Sequence, residues 1–92
     1  MAKINSQLVS IKDIASGDTR QVPANAGCWD IDDLDTQEAR DRANETHGID
    51  VMPGNANRSL ADCKRGDVVF VESTDPSEDG SGNVIAWLSE VL

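Results

Sequence analysis

Residues 73–83 read Ser-Thr-Asp-Pro-Ser-Glu-Asp-Gly-Ser-Gly-Asn, a turn-rich stretch with no large apolar side chain. Such a stretch has nothing to bury in a helix or strand, so it reads as a loop. It separates Val68-Val69-Phe70-Val71 from Val84-Ile85-Ala86-Trp87-Leu88, two short runs of β-branched and aromatic residues. That pattern predicts an antiparallel hairpin with a long tip. Val84, Trp87, Leu88 and Val91 also recur at helical spacing, so an amphipathic helix over 83–92 is the alternative for the second arm.

A second hairpin is expected near the start, with a strand over 8–14, a turn at Ser16-Gly17-Asp18 and a short return from Thr19 to Val22. Asp35 and Glu38 have the spacing of a capping box, which predicts a helix over 36–47 that ends at Gly48 in the left-handed conformation. Ala39, Ala43 and Thr46, with Leu34 at the entry, give this helix one thin face to lay on a sheet. Residues 50–66, with Pro53, Gly54 and Asn55, read as an irregular connection. The expectation is a single domain over 1–92 of α+β class, a small antiparallel sheet of three to four strands with one short helix packed on it.

Leu, Ile, Val and Phe supply 20 of the 92 residues, just above the share of about 20% at which a highly charged chain stays disordered. Seventeen acids against eight bases leave a net charge of −9. Phosphate and anionic membrane surfaces repel such a chain, so direct double-stranded DNA binding is not expected, nor is membrane association. The same charge favours basic surfaces, and large basic surfaces belong to proteins that handle nucleic acid. The first seven residues lack the apolar core of a signal peptide, and no run reaches the 18 or more apolar residues of a membrane span, so a soluble intracellular protein is expected. Cys28 and Cys63 are then reduced thiols packed as small apolar groups, with a disulfide open to them only if their segments meet.

Among chemistry-bearing patterns the densest is Asp30-Ile31-Asp32-Asp33-Leu34-Asp35, followed by Glu38, Asp41 and Glu45. It supports three readings. One is mimicry of nucleic-acid phosphates, although a 12-residue helix of about 18 Å faces roughly 10 duplex charges and offers three acids and two bases. Another is a set of contacts to Arg and Lys of a protein partner, with Trp29 and Ile31 as apolar anchors. The last is a solvated loop whose acids cap the helix and complement its dipole. Arg58, Lys64 and Arg65 stand apart from the acids and suit either a phosphate contact or ordinary solubility.

Other sites fail on spacing. Asp75, Ser77, Asp79 and Gly80 match the opening of a calcium loop, but Gly82 and Ala86 occupy later positions where ligands are needed. Cys28, Cys63 and His47 are too scattered to nucleate a zinc site, and Cys28 with His47 carries no local signature of a thiol enzyme. His47 instead suits the C-terminal dipole of the helix. With no nucleophile elbow, phosphate loop or dinucleotide motif, no enzyme activity and no cofactor are expected.

In size, acidity, single-domain character and exposed charge beside isolated tryptophans, with the acidic stretch over 29–45, the chain resembles the anti-CRISPR proteins of bacteriophages, in particular those acting on the type I-F surveillance complex. The resemblance implies a stoichiometric inhibitor that works in the host bacterial cytoplasm, docks on CRISPR effector subunits and blocks target DNA recognition. Asp30, Asp32, Asp33, Glu38, Asp41 and Glu45 would then meet the basic surface, Trp29 would anchor, and Arg58, Lys64 and Arg65 would touch guide RNA phosphate. The alternative is a small structural or accessory phage interaction domain without inhibitory role.

Overall fold

The computed structural model describes residues 7–34, 36–77 and 80–92. Its strands are β1 (Leu8–Asp13), β2 (Thr19–Pro23), β3 (Gly27–Trp29), β4 (Gly48–Val51), β5 (Arg58–Ser59), β6 (Val68–Pro76) and β7 (Val84–Val91), with one helix, α1 (Gln37–Thr46), between β3 and β4. All pairings are antiparallel, and the strand order is β2-β1-β7-β6-β3-β5, with β4 also on β7. The sheet of three to four strands expected from sequence is therefore corrected: seven strands among the described residues curl into a half-barrel carrying one helix. The additional strands are β3, β4 and β5, of three, four and two residues. Such short segments carry no visible alternation and form only because a distant strand supplies their partners.

β7 organises the sheet. One of its edges pairs with β6 along nearly its whole length, from Val84 opposite Pro76 to Glu90 opposite Val68. The other edge is shared end to end, with Gly48–Val51 against Val84–Trp87 and Ile11–Asp13 against Ser89–Val91. The helical alternative for residues 83–92 is thereby excluded. β6 runs further than its apolar core suggests: within a register shift between Glu72 and Pro76, Ser73 Oγ donates to Ile85 O at 2.7 Å, and residues 73–76 of the polar stretch are strand.

Alternation along β6 divides the apolar residues between two cores. Val69 and Val71 join Ile11, Val22, Cys28, Leu60 and Val91 in the first core. Phe70 points the other way, to Trp29, Ala43, Ile49, Val51 and Ala86 beneath α1.

The helix forms close to where its pattern places it, with different caps. Thr36 Oγ1 accepts from Ala39 N at 3.1 Å and is the N-cap, while Asp35 lies outside the described residues. His47, not Gly48, takes the left-handed conformation, with φ of 60°. Gly48 opens β4 instead, and its requirement is space: a Cβ there would lie 2.8 Å from the Trp87 ring.

In the first core Cys28 is fully buried beside Cys63. Burial, reinforced by the neighbouring Cys63, pushes its thiol from the ordinary 9.0 up to about 12. The folded chain thus keeps a proton that the unfolded chain releases near pH 9, so the stability it contributes is complete below that pH. It is lost as pH climbs towards 12, at about 1.4 kcal/mol per pH unit. Urea unfolding at pH 8, 9, 10 and 11 should show this decline, and the decline should flatten in Cys28→Ala. Equal slopes in the two proteins would assign the alkaline loss to other groups.

Candidate functional site: an acidic face on the helix and its neighbouring strand

Helical geometry sorts the charges that the linear sequence interleaves. Ala43 is fully buried against the second core with Ala39 partly covered beside it, so Glu38, Asp41 and Glu45, spaced by three and four, fall together on the opposite, exposed side. Arg40 leaves this row: it is half-buried, and its Nη1 donates to Leu34 O at 2.7 Å. Arg42 lies on the flank. Gln37 Nε2 donates to Asp41 Oδ1 at 2.9 Å, and none of the three acids makes an ion pair among the described residues.

β4 extends the acidic face. Its alternation sends Ile49 and Val51 into the core and leaves Asp50 exposed, with exposed Met52 just beyond its end. An open groove runs between α1 and β4, bordered by Glu38, Asp41, Glu45 and Asp50, with Arg42 the one base among the described residues that line it. A second groove shares Thr36, Ala39 and Asp50 with it and adds Asp33 and Met52. Met52, 61% exposed, is the apolar group accessible beside these acids. Asp50 and Met52 escaped sequence reading because β4 is too short to declare its alternation.

The other residues singled out from sequence fall in different places. Trp29 is 5% exposed, packs with Phe70 and donates from Nε1 to Asn55 O at 3.1 Å. Its surface is spent inside the protein, which corrects its expected role as an exposed anchor. Ile31, partly buried against the same core, is likewise turned inward. Asp32 and Asp33 are exposed on the 3-10 turn Ile31–Asp33. Asp30 is already engaged, its Oδ1 2.7 Å from Arg58 Nη2. Lys64 and Arg65 are exposed in the turn before β6, where Asp67 Oδ2 accepts from Lys64 N and Gly66 N donates to Val91 O. That turn meets the Val91 end of β7, whereas β4 meets the Val84 end, so the structure does not bring these bases to the acidic helix.

Trp87, of the two tryptophans, is the half-exposed one, and it lies where three depressions meet. Beside it Asp13 Oδ1 accepts from Ser89 Oγ at 3.0 Å and pairs with Arg20 Nε at 3.3 Å, while Arg20 Nη2 is buried without a partner among the described residues. Its alternation with Ser89 and Val91 along β7 was the available signal.

For the remaining chemistry, no group of three metal-ligating side chains comes together among the described residues, and Asp79 of the calcium pattern lies outside them. His47 lines a depression with Ser16, Trp87 and Leu88, while Cys28 sits in the other region of the fold beside Cys63. No helix among the described residues is long and apolar enough to cross a membrane. No protein-family model, curated protein or solved structure matches the chain.

Proposed function

We propose that this chain is a stoichiometric binding protein whose acidic face, centred on Glu38, Asp41 and Glu45 with Asp33 and Asp50 beside them, docks on a basic surface of a nucleic-acid-handling protein complex. The observation that supports this reading is the exposed carboxylate row, which makes no ion pair among the described residues. From Glu38 to Glu45 the helix rises about 10 Å, and over that rise one nucleic-acid strand presents about three phosphates. The row therefore offers Arg and Lys side chains a charge density close to that of a single backbone strand, on a scaffold fixed by the second core. Met52 supplies apolar contact next to the charges, and the net charge of −9 steers encounter. The resemblance to anti-CRISPR proteins makes the type I-F surveillance complex the first target, with blocked target DNA recognition as the outcome.

Gel filtration of the purified protein with a recombinant type I-F surveillance complex, followed by a target-DNA gel shift on the peak, tests this. Co-elution with loss of DNA binding, weakening as salt rises, is the expected result. Absence of co-elution at low salt would remove this target.

A further inference from the structure

The acidic face leaves unused a pair of thiols that lie thirty-five positions apart in the sequence. Cys28, on β3, is fully buried, with its Sγ 3.7 Å from Ala26 O. Cys63 follows the 3-10 turn Leu60–Asp62, is half-buried, and has its Sγ 3.8 Å from Ser59 O. Backbone pairing brings these two places together: Gly27 faces Ser59 and Cys28 faces Arg58 across the β3–β5 ladder, and Leu60 N donates to Ala26 O at 2.9 Å. Cys63 packs against the core that contains Cys28, and both thiols are free.

We propose that Cys28 and Cys63 form a covalent modification site, a dithiol that a peroxide closes to an intramolecular disulfide. Cys63 is the attacking group because it is the more accessible thiol; burial raises its pKa, and the Arg58 guanidinium beside it offsets part of that rise. Its sulfur bonds to one peroxide oxygen, the O–O bond breaks, and the departing oxygen leaves as water with the Cys63 proton. The resulting sulfenic acid stands against Cys28. Cys28 sulfur attacks Cys63 sulfur, the S–O bond breaks, and a second water carries off the Cys28 proton. Two sulfurs lose one electron each and the peroxide gains two. Burial holds both thiols protonated at neutral pH, so the reaction is slow there and accelerates in mildly alkaline solution. The closed loop contains Asp30, α1 and β4, so oxidation closes a covalent ring around the segment bearing the acidic face.

The test is treatment of the native protein with hydrogen peroxide at pH 8, followed by intact mass measurement and maleimide labelling in denaturant. A monomer lighter by about 2 Da, with both thiols blocked and both recovered on reduction, is expected, together with a melting temperature about 10 °C or more higher. Cys63→Ser should show no such mass loss and should retain a labelled Cys28. Wild-type protein that gains oxygen at Cys63 while Cys28 still takes maleimide would overturn the proposal. So would disulfide-linked dimers, or two intact thiols under conditions that fully oxidise glutathione.

Discussion

Phe70→Ala should lower stability by about 3–5 kcal/mol. Phe70 is 1% exposed and is the central ring of the core beneath α1, with Trp29, Ala43, Ile49, Val51 and Ala86 around it. A chain of this length holds only about 5–14 kcal/mol in total, so the loss removes a large part of what keeps it folded. At about 4–8 °C per kcal/mol, the melting temperature should fall by at least about 12 °C, with the tryptophan emission shifting red as Trp29 gains water. Val68→Ala, two positions away along β6 and 49% exposed, should cost less than about 1 kcal/mol. Urea unfolding of both variants checks the contrast. If Phe70→Ala melted within a few degrees of the parent, the helix-covered core would not be where stability resides.

Neutralising the row with Glu38→Gln, Asp41→Asn and Glu45→Gln together should weaken binding to the surveillance complex by about 100-fold. Most of the change should fall in the association rate, and the dependence on salt should shrink. The three side chains are exposed and make no ion pair among the described residues. The fold should therefore lose little, about 0.3–1 kcal/mol from the missing Glu38 charge at the helix start. Asp30→Asn is the informative contrast, because its carboxylate is held at 2.7 Å by Arg58. It should perturb that local pair and leave affinity within a few-fold of the parent. Measurement by interferometry at two salt concentrations separates these outcomes. Unchanged affinity and salt dependence in the triple variant would place the interface elsewhere, with the Trp87 depressions the next surface to probe.

Both hairpins were legible in the sequence because each is local: the turn at Ser16-Gly17-Asp18 and the polar stretch before Asn83 announce themselves, and the flanking runs are β-branched. The helix was legible through Ala39 and Ala43, although its cap proved to be Thr36 and its left-handed residue His47. β3, β4 and β5 were not legible, since segments of two to four residues, the last two flanking Pro53, Gly54 and Asn55, become strand only through pairing with β6, β7 and each other. Trp29 was misplaced for a related reason. Flanked by Cys28 and Asp30, it looks like an anchor at the edge of an acidic loop, but β3 turns it into the core. Within the acidic site, Glu38, Asp41 and Glu45 were identifiable from sequence, whereas their separation from Arg40 required helical geometry; Arg42 stays in the lining of the same groove. Asp50 and Met52 required β4.

The shared edge of β7 also sets a kinetic problem for the chain. Gly48 must find Trp87 and Ile11 must find Val91, so most of the chain is looped out before β1 joins the outer edge of β7. Folds with such a high contact order close slowly, on the millisecond to second scale, because loop entropy is lost before pairing returns anything. Until then the edge of β7 that β1 and β4 will cover is unpaired, open to pairing with another chain. Yield on refolding should therefore depend on protein concentration well before it depends on temperature.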